Sequence, residues 1–220
     1  MPLYQDFSTD DAIILIWSFD ENEEFDHQKL IEPENRARVE RFLPEKLAEY
    51  LMIRTMLKRI YPDHKILYKT IGQPYLLPKD AFISITHSFP LAALAISKKR
   101  IGIDLEKATP KIIRIKEKFL HPNEHLWIPK DHEVDFLTII WVIKEALYKL
   151  HASKYWSLKM HYEVEKFTLD SLDEVKCRVF DDEFEDNYIA KVTTIDDVYF
   201  ATIEENHKIN YKIPRDKKMF

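Results

Sequence analysis

Glycine occurs only twice in 220 residues, at Gly72 and Gly102, and this scarcity constrains the chain more than any other feature. Glycine takes backbone conformations that other residues resist, and it lets another group approach where a Cβ would stand. With so few, each is expected at a place where a side chain would obstruct something. The familiar glycine-rich phosphate loops are excluded, because neither GxGxxG nor GxxxxGK[ST] is present.

Hydrophobic residues make up 45% and charged residues 32% of the chain, an ordinary globular balance. No run approaches the roughly 18 apolar residues of a spanning helix, so no membrane association is expected. The start, MPLYQDFSTDD, is acidic where a signal peptide is basic and then apolar. A single cysteine, Cys177, forms no internal disulfide and fits a reducing cytoplasm. A net charge of −5 argues against broad nucleic-acid binding, which rests on a basic surface, but leaves room for a local basic pocket.

Apolar patterning predicts strands at Ala12–Phe19, Phe82–Thr86, Leu91–Ser97 and Ile101–Glu106. Helix is expected from Pro33 to Ile60 with a restart at Pro44, over Lys111–Leu120 and His121–Ile128, and over Asp131–Leu150 with Asp131 as N-cap. Thr70 to Asp80 reads as loop. Later strands are expected at Val164–Leu169, Val175–Phe180, Tyr188–Thr193, Val198–Ile203 and Ile209–Ile213, followed by a basic solvated tail. Helices and strands recur in both halves, which suggests two α+β lobes, 1–99 and 100–220, in one compact unit.

Within Ile101–Glu106, Ile101, Ile103 and Leu105 share one face, and Asp104 and Glu106 project from the other. Two carboxylates on one strand face repel one another unless a cation sits between them, and all-oxygen ligands suit Mg²⁺. The bland alternative is an acidic strand edge facing water. In the Asp131–Leu150 helix, Phe136, Ile140, Ile143, Leu147 and Leu150 form an apolar stripe, while Trp141, Glu145 and Lys149 lie on a neighbouring face. Glu145 and Lys149 are either an ordinary i,i+4 pair worth about 0.2–0.5 kcal/mol or a third carboxylate and a phosphate-directed lysine. Arg36, Arg38, Arg41, Arg54, Lys58 and Arg59 supply cations suited to phosphate or to a solvated helix face. His87, between Thr86 and Ser88, ends a strand where a structural histidine is the commoner finding.

Four blocks in order resemble the Sfp-type 4′-phosphopantetheinyl transferases: Gly72-Gln73-Pro74, Phe82 through Ser88, Gly102 through Glu106, and Trp141-Val142-Ile143-Lys144-Glu145-Ala146-Leu147-Tyr148-Lys149. The resemblance covers about Pro33 to Ser157, and the last two blocks are its specific part. It implies two similar, pseudo-twofold lobes with coenzyme A in the cleft between them. It implies transfer of the phosphopantetheine arm to a serine of an apo acyl or peptidyl carrier protein, by a monomer. By position it implies that Asp104, Glu106 and Glu145 bind Mg²⁺ or Mn²⁺, and that Lys149 contacts the phosphate and steadies the leaving group. Glu145, directly or through a metal-bound water, would take the serine proton. Thr86 and His87 match positions that hold coenzyme A phosphates, Arg38 one that holds the 3′-phosphate, and Gly72, Gln73 and Pro74 the adenine loop. Departures from the pattern are Gln73 for a lysine, Thr86 for a serine, Asn35 where some members carry lysine, and Phe89-Pro90 where glycine is frequent. A catalytically idle relative, a metal-dependent phosphohydrolase and a plain binding module are the alternatives that sequence leaves open.

Overall fold

The computed structural model describes residues 3–70, 72–151 and 157–205, so the expected Ile209–Ile213 strand and basic tail lie outside the described residues. Strands β1 (Leu3–Asp6) and β2 (Ala12–Ser18) open the fold. Helices α1 (His27–Leu30) and α2 (Arg36–Val39) follow, the second after a 3₁₀ turn at Pro33–Asn35. The long α3 (Pro44–Ile60) restarts at Pro44, whose fixed φ and missing N–H suit a first helical position. Two short strands, β3 (Lys65–Tyr68) and β4 (Pro74–Leu77), pair as a hairpin in and just before the region read as loop. Turn residues dominate that stretch, and proline is tolerated at a strand's first residue.

Strands β5 (Phe82–Ser88), β6 (Leu91–Ser97) and β7 (Ile101–Lys107) fall within one or two residues of expectation. Helix α4 (Lys111–Phe119) and a 3₁₀ turn at Glu124–Leu126 lead to α5 (Glu133–Leu150). The cap of α5 is His132, not Asp131, and its side chain makes no capping bond. After the short α6 (Leu158–His161) come β8 (Tyr162–Val164), β9 (Val175–Phe180), β10 (Glu185–Ile195) and β11 (Val198–Glu204). The expected Val164–Leu169 strand is therefore displaced to β8, which pairs with β9.

A four-stranded sheet runs β1-β2-β6-β5 and a five-stranded sheet runs β7-β11-β10-β9-β8. Alternation along the strands decides the layering. On one face of the first sheet, Trp17, Ala92, Leu94 and Ile96 pack against Met52, Ile53, Met56 and Leu57 of α3. Its other face offers Ile14, Ile16, Ala93 and Ala95 to Ile101, Ile103, Leu105 and Phe200 of the second sheet. The far face of the second sheet is covered by α5 through Ile139, Ile140, Ile143 and Leu147. The order of layers is helix, sheet, sheet, helix, a mixed α/β architecture.

The edges β5 and β7 lie side by side at the seam. Ile103 N–H donates to Ser84 Oγ at 3.0 Å and Leu105 N–H to Thr86 Oγ1 at 3.3 Å, so two hydroxyls link the strands.

Candidate active site

Gly102 sets the distance between β7 and α5. A Cβ at this position would stand 2.0 Å from the Ala146 carbonyl oxygen and 2.9 Å from Leu150 Cβ. Because Gly102, Asp104 and Glu106 share a strand face, the same close approach brings both carboxylates beside the helix that carries Trp141, Glu145 and Lys149. Gly72 behaves differently. Nothing would obstruct a Cβ there, but its φ of +84° is the left-handed region that glycine occupies without strain.

Lys149 reaches from α5 to β7, donating to Asp104 Oδ1 at 2.5 Å and to the Ile103 carbonyl at 3.1 Å. Thr86 Oγ1 donates to the same Asp104 oxygen at 2.8 Å. The other oxygen, Oδ2, is buried and has no hydrogen-bond partner. An orphaned carboxylate oxygen in a site shared with a second carboxylate is where a cation would be favourable. Glu106 is half-buried, with Trp141 Nε1–H 3.4 Å from its Oε1. Burial and then the charge of Asp104 push its carboxyl above the usual range, against the pull of Trp141, Lys149 and His87. Glu145 is half-buried one turn before Lys149. Among the described residues no group of three His, Cys, Asp or Glu is gathered at metal-binding geometry. The pair Asp104/Glu106 nevertheless has the oxygen donors and the mutual repulsion that suit a divalent ion.

Lys144, inside the same helical block, is fully buried. Its Nζ lies 2.7 Å from Glu124 Oε2 and 2.8 Å from the Phe119 carbonyl. Burial lowers its pKa to about 8. Glu124 in turn accepts from the backbone N–H groups of His121 and Val164. This pair braces the back of α5 while Glu145 and Lys149 face the front.

Beside the acidic strand is a cleft of about 290 Å³ whose lining includes Arg38, Lys46, Glu49, Gly72, Gln73, Pro74, Ser84, His87 and Lys149. The Arg38 guanidinium lies 3.9 Å above the Tyr68 ring. Gln73 receives a hydrogen bond from Lys69 Nζ at 3.0 Å, so a lysine flanks the position where the family's own is replaced. Asn35 is buried, its amide donating to Glu32 and to the Ile66 carbonyl. Of the anticipated residues, Arg38, Gly72, Gln73, Pro74, His87 and Lys149 therefore share one cleft. Thr86 sits beneath Asp104, buried, with its hydroxyl engaged there.

Sequence reasoning missed Lys46 and Glu49. Glu49 Oε2 lies 3.0 Å from His87 Nδ1, and Lys46 Nζ contacts His87 Nε2. Burial raises Glu49, but the His87 hydrogen bond and the charges of His87 and Lys46 bring it below its ordinary value. The only signal along the chain was a cation and an anion three residues apart on a helix, which solvated faces show everywhere.

The profile of the 4′-phosphopantetheinyl transferase superfamily matches residues 100–207, a span that holds β7, α5 and the second sheet. The chain is 30% identical over 146 residues to the 4′-phosphopantetheinyl transferase Sfp of Bacillus subtilis (strain 168), covering 60% of this chain and 64% of that protein. It is 32% identical over 106 residues to the 4′-phosphopantetheinyl transferase gsp of Aneurinibacillus migulanus, covering 45% and 44% respectively. The chain thus spans less than two thirds of the length of these curated relatives. The match falls on the strand and helix that Gly102 holds together, and over this span the chain is similar to the 4′-phosphopantetheinyl transferase superfamily.

Proposed function

We propose that the protein transfers the 4′-phosphopantetheine arm of coenzyme A to a serine hydroxyl of an apo acyl or peptidyl carrier protein, leaving 3′,5′-adenosine bisphosphate. The observation that carries this reading is the Lys149–Asp104 contact, which joins the acidic strand to the helical signature at the edge of a cation-rich cleft. Residues 1–99 and 100–220 form the two lobes, a division supported by the change of sheet between Ser97 and Ile101. Arg38 takes the 3′-phosphate, Gly72, Gln73 and Pro74 lie against the adenine, and Thr86 and His87 serve the phosphates.

In the transfer, a bond forms between the serine oxygen and the phosphorus next to pantetheine, and the pyrophosphate bridge breaks. Lys149 neutralises the departing phosphate, and Glu145 takes the proton that makes serine a usable nucleophile. Asp104, Glu106 and Glu145 would hold Mg²⁺ or Mn²⁺, which supplies charge neutralisation on the non-bridging oxygens. A cytoplasmic monomer is the state expected for this activity.

The test is mass spectrometry of a panel of apo carriers after incubation with the protein, coenzyme A and Mg²⁺. One phosphopantetheine should be added to at least one carrier. Glu145→Gln should add none while its circular dichroism matches wild type. No added mass on any carrier would overturn the reading, and coenzyme A cleavage without carrier would replace it with a phosphohydrolase.

A further inference from the structure

Strand β1 ends the four-stranded sheet, so among the described residues one row of its backbone groups faces no further strand. Such an edge is a template for another extended segment. A groove of about 370 Å³ separates the end of this edge, at Phe7 and Thr9, from β10 and β11. Its lining is apolar at Ile14, Phe200 and Ile189, with the Phe7 ring stacked 5.8 Å from that of Phe200. Ile189 keeps 45% of its surface exposed there. Two acids border the groove. Asp173 lies 3.7 Å from Lys191. Glu204 is half-buried, and burial and the charge of Asp11 push its carboxyl up against the pull of Lys99. A cation beside Glu204 would therefore be favourable.

The chain leaves β11 at this same place. Ile203 pairs with Ala190, so Glu204 stands next to Ile189 where the strand ends. The residues that follow, His207-Lys208-Ile209-Asn210-Tyr211-Lys212-Ile213, lie outside the described ones. In an extended chain Ile209, Tyr211 and Ile213 share one side, and Lys208, Asn210 and Lys212 the other. Ile209 is four residues past Glu205, a reach of at most about 14 Å. Asn206 suits the reversal that would bring the chain back over Ile189. We propose that residues 209–213 are an added strand of the first sheet, seated in this groove beside β1. Ile209, Tyr211 and Ile213 then cover Ile189, Phe7 and Phe200, and Lys208 sits at the mouth beside Glu204. The apolar side matches the lining, and the lysine matches the acid. This docking stands apart from the transfer site and from the function proposed for it.

The experiment is amide hydrogen exchange of the full chain, read by mass spectrometry. Amides of 209–213 should exchange at least about tenfold more slowly than those of 215–220. Ile189→Asp, a change at an exposed position, should remove that difference while β7 and α5 stay protected as in wild type. Glu204→Gln should reduce it by a smaller factor, about threefold, the scale of one partly exposed ion pair. Equal exchange along 206–220 in wild type, or slow exchange that survives Ile189→Asp, would overturn the placement. Slow exchange that vanishes on dilution would overturn it as well, by assigning the strand to a second copy of the chain.

Discussion

Arg38 and Lys46 stand on successive helices of one cleft, yet only the first could be picked out along the chain. Arg38 belongs to a cluster of arginines and matches a family position, whereas Lys46 acquires a partner only when α3 and β5 meet. Asp104 and Glu106 were readable for a simple reason: a period of two separates them from Ile103 and Leu105, and those isoleucine and leucine side chains are indeed buried at the seam. The proposed role of Arg38 has a direct test. Arg38→Ala should weaken coenzyme A about tenfold, as expected for one lost charge-assisted contact, and leave dephospho-coenzyme A unaffected. Equal weakening of both ligands by Arg38→Ala would remove it from the 3′-phosphate.

At the scale of elements, the pairing of β7 with α5 depends on one missing methyl group. Gly102→Ala places a Cβ against a main-chain carbonyl, an obstacle that cannot rotate away. It should cost about 3 kcal/mol, the upper part of the usual range for overpacking. Gly72→Ala, where only the positive φ opposes the substitution, should cost about 1 kcal/mol. Urea unfolding of the two variants checks the order, and a Gly102→Ala protein as stable as Gly72→Ala would contradict the close contact. The apolar stripe of α5 was plain from its spacing. The burial of Lys144 was not, because a lysine reads as exposed until Glu124 and two carbonyls are found around it. The β3–β4 hairpin was hidden for another reason: each strand has four residues, and their pairing is decided by tertiary contacts rather than propensity.

For the whole molecule, the alternation of helices and strands announced a chain of mixed helix and strand, but no local pattern said how the eleven strands among the described residues divide among sheets. That division rests on pairings such as β2 with β6 and β7 with β11, between segments far apart in sequence. Nor did it reveal the seam, where Ser84 and Thr86 accept from the N–H groups of Ile103 and Leu105. Thr86→Val keeps the shape and removes the acceptor, leaving a buried N–H without its bond. It should destabilise the protein by about 1–3 kcal/mol and free Asp104 from its hydroxyl partner. An unchanged urea midpoint would show that the hydroxyl contributes nothing to joining the sheets. Among the described residues, the main chain itself passes from the first sheet to the second only between Ser97 and Ile101. A boundary crossed by one short covalent link and otherwise held by side chains is one that two separate polypeptides can rebuild. The proposed lobes, residues 1–99 and 100–220, should accordingly complement one another as separate fragments, and a folded circular dichroism spectrum that appears only on mixing checks the division.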